Sequence, residues 1–238
     1  MTINLIVSRG GPLIDWVPGS NLTLPSASLA LATTAPTATI GGGGTSYATL
    51  DPAHAGSGGT LSNGNLTFTY ATAAANARAT TSHSSGKFYF EFTVGSSAAT
   101  AYSVEVGICN SSQSMTSGQL GATADAGGIF IGDDNFYING AGQQLFFGTD
   151  GGLHAGKTYG VAIDVANKIW ITDGVHWDEL SSDTHDPATG VGGIDISGVS
   201  TPQFIAVHVE ANTNATVTLN FGATTYAYTP PSGFNNLW

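Results

Sequence analysis

The chain is poor in charge. Its 238 residues include only five cations (Arg9, Arg78, Lys87, Lys157 and Lys168) against 16 acids, a formal net charge of -11, and charged residues make up 9% of the whole. A nucleic-acid surface needs clustered Lys and Arg to displace counterions from phosphates, so no nucleic-acid partner is expected, and an anionic membrane surface is unsuited for the same reason. There is one cysteine, Cys109, which excludes an intrachain disulfide framework and a cysteine-based zinc site. No run of about 18 apolar residues occurs, so no membrane insertion is expected. The opening Met1–Arg9 lacks the basic and long apolar regions of a secretory signal.

Much else is present. Hydrophobic residues make up 41%, with 11 Phe, 8 Tyr and 4 Trp, enough to build a core, and low charge with many aromatics is the reverse of a disordered composition. The 33 glycines and the scarcity of helical periodicity argue against helices. Short stretches of Val, Ile, Phe, Tyr and Thr recur between Gly, Asn, Asp and Ser clusters. They predict strands at 65–70, 87–94, 104–109, 128–131, 135–138, 144–147, 159–165, 168–172, 203–209, 216–221 and 225–228. Phe88, Phe90, Phe92 and Val94 share one face of their strand, with Tyr89, Glu91 and Thr93 opposite. Residues 159–172 read as a tight hairpin around Ala166-Asn167. More than ten strands without helices predict an all-β fold, an antiparallel two-sheet sandwich.

Residues 1–44 differ from the rest. They are rich in Thr, Ala and Pro, nearly uncharged, and end in Gly41–Gly44. We read them as an extended N-terminal arm with a glycine hinge, the alternative being an edge strand of the main sheet. Leu13, Ile14 and Trp16 are its candidate anchors. Trp238 is a second candidate anchor into a neighbouring subunit, or else packs on its own domain.

In order along residues 45–238 come Leu61-Ser-Asn-Gly-Asn-Leu-Thr67, Ser85-Gly-Lys-Phe-Tyr-Phe-Glu-Phe92 and Val104-Glu-Val-Gly-Ile-Cys109. Lys157–Asp164, Lys168-Ile-Trp-Ile171, Val217–Gly222 and Tyr228–Phe234 follow. Taken together these segments resemble the SPRY domain family. The Asp186–Ile194 stretch and the close spacing of Asn220-Phe-Gly with Pro-Pro-Ser-Gly-Phe234 are similar to versions carried by bacteriophages and prophages. The resemblance implies a bent β-sandwich of jelly-roll type whose loops bind a partner, usually protein, with no cofactor and no catalysis. It further implies a virion location, with head decoration, fibre or spike as roles.

The residues themselves offer several chemistries. No nucleophile elbow, zinc-protease motif or phosphate loop occurs. Asp133 and Asp134, followed by Asn135 and Tyr137, are either a plain turn or a carboxylate pair for calcium or acid–base work. His176, Trp177, Asp178 and His185 lie in the most polar stretch, 173–186, which reads as a solvated loop or a metal site. Trp177 either folds back on the sandwich or stacks on a sugar or protein ligand. Trp170, out of phase with Ile169 and Ile171, points to the other face of its strand. No metal site is assigned.

The expected function is therefore a non-enzymatic binding or structural protein of a phage-like particle. Its arm would hold other virion proteins, its loops a host-surface glycan or protein, and it would form a homo-oligomer. The alternatives are a soluble protein-interaction adaptor and a carbohydrate-active enzyme using Asp133 or Asp134. Ten of the 16 acids fall between Asp125 and Asp186, which marks that region as solvent-facing.

Overall fold

The computed structural model describes residues 47–95, 103–131, 135–144, 153–178, 184–210 and 215–238. The arm, with Leu13, Ile14 and Trp16, and the Asp133-Asp134 pair lie outside the described residues. So does the 145–147 part of the strand expected at 144–147.

Among the described residues there are fourteen strands and no helix. In chain order they are β1 (Leu50–Ala55), β2 (Gly59–Ser62), β3 (Thr67–Tyr70), β4 (Ala75–His83) and β5 (Lys87–Val94). Then come β6 (Val104–Cys109), β7 (Ala126–Phe130), β8 (Asn135–Ile138), β9 (Ala141–Gln144) and β10 (Thr158–Asp164). The last are β11 (Lys168–Thr172), β12 (Ile194–Asp195), β13 (Gln203–Val209) and β14 (Thr216–Asn220). They form two seven-stranded sheets, ordered β1-β4-β13-β6-β7-β8-β9 and β12-β11-β10-β5-β14-β3-β2, with every pair between adjacent strands antiparallel. The all-β sandwich expected from the sequence is the observed fold.

Alternation decides which side chains meet between the sheets. Phe88, Phe90, Phe92 and Val94 of β5 join Val161 and Ile163 of β10 and Ile169 and Ile171 of β11. The facing sheet contributes Val104, Val106 and Ile108 of β6 and Ile205, Val207 and Val209 of β13. Each such side chain, fully buried, stabilises by roughly 1.5–3 kcal/mol. The β10–β11 hairpin turns through Val165-Ala166-Asn167, with Asp164 opposite Lys168 and Ala166 at φ +67°. Asn63, Gly64 and Asn65 all take positive φ in the β2–β3 turn, which is what Asn and Gly are suited to.

Three expectations are corrected. Trp238 is not an anchor into a neighbour: it is 3% exposed, lies edge-on to His83 and Phe88, and its Nε1 donates to the Thr81 carbonyl at 2.9 Å. Residues 225–228 are not a strand, because side-chain acceptors rather than a neighbouring strand take their N–H groups. Strands β1, β2, β4 and β12 had no counterpart in the sequence pattern. β4 is built on Ala75, Ala77 and Ala79, too small to register as an apolar alternation.

Both outer faces of the sandwich are also covered. The segment 225–235 crosses the second sheet, where Tyr226, Phe234 and Trp177 pack on buried Tyr89, Ala162 and Trp170. The loop 110–125 crosses the first sheet and seats Leu120 and Met115 against Cys109, Ala126, Ala206 and Phe204.

Candidate functional site

The outer face of the first sheet is where polar chemistry is concentrated. Alternation on β4, β13 and β6 sends Asn76 and Arg78, Phe204, Ala206 and His208, and Glu105, Gly107 and Cys109 to that side. Cross-strand registry makes one row of Asn76, His208, Glu105 and Phe130, and a second of Arg78, Ala206, Gly107 and Gly128. The second row is nearly free of side-chain bulk. A Cβ on Gly128 would lie 2.6 Å from the Leu120 Cβ, so glycine there is what admits the covering loop.

The first row is a buried polar layer. Asn76 donates from Nδ2 to the carbonyls of Ser114 (2.7 Å) and Gly118 (2.8 Å), which fixes the loop to the sheet. Its Oδ1 meets His208 Nδ1 at 2.8 Å, and His208 Nε2 meets Glu210 at 3.0 Å. Burial lowers the His208 pKa, against the upward pull of Glu210. Glu105 is fully buried; its Oε2 accepts the Leu120 N–H at 2.8 Å, and its Oε1 has no partner. Desolvation pushes its carboxyl well above the usual carboxylate range, the Leu120 bond pulls it down, and Glu210 adds to the rise. Burial therefore favours the protonated form of Glu105.

Beside this layer lies a hollow of about 260 Å³ lined by Gln119, Leu120, Gly121, Ala122, Phe130, Tyr137 and Gly140. Phe130 and Tyr137 form an edge-on pair with centroids 6.1 Å apart. The lining offers apolar and aromatic surface with one amide, and no carboxylate, imidazole, thiol or cation. A second, more open trough of about 490 Å³ lies on the other sheet, lined by Thr224, Thr225, Tyr226, Tyr228 and Asn236 among others, again without a charged side chain.

The structure separates the residues singled out in the sequence. Tyr137 and Asn135 sit on β8, with Tyr137 in the smaller hollow. His176, Trp177 and Asp178 follow β11, in the opposite sheet. Trp177 is half-buried and folded back on the Tyr89–Ala162–Trp170 cluster. Asp178 is not in a solvated loop. It is buried, and its Oδ1 accepts the Ile171 N–H at 2.7 Å while its own N–H donates to the Ile171 carbonyl. His185 packs over Gly192, and the following Asp186 and Val191 exchange both backbone bonds around a Pro187–Gly190 turn. Trp170 Nε1 (3.0 Å) and Lys168 Nζ (2.7 Å) pin that turn through the carbonyls of Val191 and Gly192. Trp170 itself is buried, on the outward side its phase predicts. Among the described residues no three of His, Cys, Asp and Glu come together at metal-ligand spacing.

Sequence reasoning passed over Asn76, Arg78, Glu105 and His208. A signal existed for Glu105, a single acid inside Val104–Cys109, where it must face away from the valines. Nothing local marked Asn76 or Arg78, because their strand is mostly alanine and threonine.

No protein-family model matches the chain, and no curated protein sequence does. Similarity appears in solved structures. The SPRY domain of human HERC1 aligns with a TM-score of 0.55 at 16% identity, over 74% of this chain and 99% of that one. The TRIM65 PSpry domain aligns with a TM-score of 0.51 at 15% identity, over 73% and 89%. Stonustoxin aligns with a TM-score of 0.50 at 14% identity, over 73% of this chain and 27% of its own. At such identities the likeness concerns architecture: two seven-stranded antiparallel sheets in the SPRY arrangement, the sandwich that the described residues adopt.

Proposed function

We propose that the chain is a binding module that works without catalysis and engages a protein partner through the outer face of the first sheet. The observation that carries this reading is the 260 Å³ hollow beside Phe130 and Tyr137. Apolar and aromatic walls with two polar groups, the Gln119 amide and the Tyr137 hydroxyl, suit an anchoring side chain from a partner, and hot spots are built this way. The lining holds no carboxylate, imidazole, thiol or amine, and its one titratable group is the Tyr137 phenol. The SPRY-type neighbours support a module that presents loops on a rigid sandwich, although fold alone does not assign a partner.

The carrier is a phage or phage-like particle, as a head decoration, fibre or spike component. Support comes from the sequence, in the Asp186–Ile194 and Asn220–Phe234 stretches. Residues 1–44 attach the module to other virion proteins, and the assembled form is a homo-oligomer. The test uses particles carrying full-length chain, the 45–238 chain, or full-length Ala122→Arg, which places a long cation at the exposed rim of the hollow. The shortened chain should be lost from sedimented particles. Ala122→Arg particles should assemble and lose attachment to the host. Incorporation of residues 45–238 at the full-length level overturns the arm's role, and normal attachment by Ala122→Arg overturns the hollow's.

A second reading has its own observation. The uncharged 490 Å³ trough with Tyr226, Tyr228, three threonines and Asn236 has the mixed aromatic and hydroxyl surface that neutral glycans bind. Glycan-array signal that survives Ala122→Arg and is lost in Thr225→Arg would favour it.

A further inference from the structure

Arg78 is a nearly buried cation without a counter-ion among the described residues. Its residue is 7% exposed, and its Nε is closed off from solvent with no acceptor. Among the described residues no carboxylate or carbonyl accepts a hydrogen bond from it. Its guanidinium carbon stands 4.3 Å from the centroid of Phe204, which shields one face of the plane and leaves the in-plane donors. A buried charge is ordinarily paired, since leaving it unpaired costs several kcal/mol.

The neighbourhood is arranged so that the described residues do not supply the pair. Asp51 is close enough for Arg78 to act on it, yet its oxygens are spent within its own turn. Oδ2 meets His54 Nδ1 at 2.6 Å and Oδ1 accepts the Ala53 N–H at 2.9 Å. That His54 bond is the main cause holding the Asp51 carboxyl below its usual range, with the Ala53 N–H and the more distant Arg78 adding to it against desolvation. β1 is also irregular here. Leu50 pairs with Ala79 and Ala55 with Ala77, so residues 51–54 bulge away and none stands directly across from Arg78. β1 is an edge strand, so the bulge lies at the rim of the sheet. Asp125, on the covering loop, holds Asn110 Nδ2 at 3.0 Å instead. The other described cations differ. Lys168 donates to two carbonyls, and Lys87 lies over the Phe234 ring.

We propose that Arg78 is a receptor for a carboxylate, the side chain of an Asp or Glu on a protein partner that docks at the β1 rim of the first sheet. The planar fork matches a carboxylate in two parallel N–H···O bonds, and the part-desolvated setting strengthens them. In a chain of net charge -11 the local cation selects the acid on the partner rather than the partner's overall sign. The assignment of the carboxylate to a protein rests on the protein-binding reading above; the anion site itself does not.

The site is tested on the full chain by NMR of the arginine Nε–Hε groups. The chain has two arginines, and Arg78→Lys identifies which signal belongs to Arg78. N-acetylglutamate should move the Arg78 signal saturably, with a midpoint on the order of millimolar for one isolated bidentate pair. N-acetylglutamine should leave it in place, and the Arg9 signal should ignore both. Arg78→Lys, whose amide spectrum reports its fold, should lose saturable binding of N-acetylglutamate, read from neighbouring amides. An Arg78 signal that does not respond means that water alone satisfies the guanidinium, and the proposal fails. Inorganic phosphate moving the signal at lower concentration than N-acetylglutamate also overturns it, by making free phosphate the occupant. Failure here leaves the Ala122→Arg particle result unaffected, so the two proposals stand or fall separately.

Discussion

The Glu91 carboxylate takes the N–H of Tyr228 at 2.8 Å with one oxygen and the N–H of Ala227 at 2.9 Å with the other. It also accepts the Tyr89 hydroxyl at 3.0 Å. Glu91 is 3% exposed, so a buried acid in β5 holds the 225–235 cover where a strand would otherwise have done so. Glu91→Gln replaces one acceptor by a donor aimed at a backbone N–H. We expect about 1–3 kcal/mol of destabilisation by urea titration, from a buried N–H left unpaired. Native-state chymotrypsin should cut faster at Tyr226 or Tyr228. Wild-type cleavage rates would show that the cover is held by packing alone.

Trp238 closes the core with His83, Phe88 and Phe90 around it. Trp238→Ala removes a large buried ring and the bond to the Thr81 carbonyl, an expected cost of about 3–5 kcal/mol. For a domain of this size each kcal/mol lowers the melting temperature by roughly 2–4 °C. A drop of only one or two degrees would contradict the core placement.

Acid should weaken the fold through its histidines. Burial lowers the pKa of His83, whose ring stacks on Phe88 at 4.0 Å and whose Nε2 has no partner. A histidine with a lowered folded pKa binds fewer protons folded than unfolded, so its stability contribution is lost as pH falls from about 6.5 towards the folded value. His208 acts in the same direction. Glu105 acts in the opposite one: its raised pKa makes the folded state gain stability as pH falls towards 4.5. The urea midpoint measured between about pH 7 and pH 5 should therefore fall less steeply in His83→Gln and more steeply in Glu105→Gln. Identical slopes in all three proteins would refute the assignment.

Cys109 is fully buried, and desolvation is the main cause that pushes its thiol up to about 12. Thiol reagents at pH 8 should leave the native chain unmodified and label it stoichiometrically in urea. Labelling of native protein within minutes would mean that the 110–125 cover opens.

How much the sequence disclosed follows from where each packing partner lies. β5, β10 and β11 carry Phe, Val and Ile in strict alternation, and each reads as a strand without help. β4 carries Ala75-Asn-Ala-Arg-Ala79, whose inward side chains are methyl groups, so its strand character comes from β1 and β13 on either side. The outward face of β5 was legible as a face, but its burial was not. Its cover arrives from residues 225–235, more than 130 positions away, and a local pattern holds no record of that. Arg78 was hidden as well, because its significance depends on what Asp51, on a neighbouring strand, does with its two oxygens. Tyr137 drew notice because an aromatic beside turn residues stands out, whereas the polar layer of Asn76, Glu105 and His208 assembles only through sheet registry.

The strand order has a consequence for synthesis. Among the described strands β13 alone joins β1 and β4 to β6, β7, β8 and β9, and β14 alone joins β2 and β3 to β5, β10, β11 and β12. Both are made after residue 202. Until then a nascent chain holds four separate sheet fragments, with the open flanks of β4, β5, β6 and β3 ready to pair wrongly. Non-local pairing of this kind is also slow. A ribosome stalled before Gln203 therefore presents a chaperone client, and emergence of β13 and β14 is the event that turns two pairs of half-sheets into one sandwich.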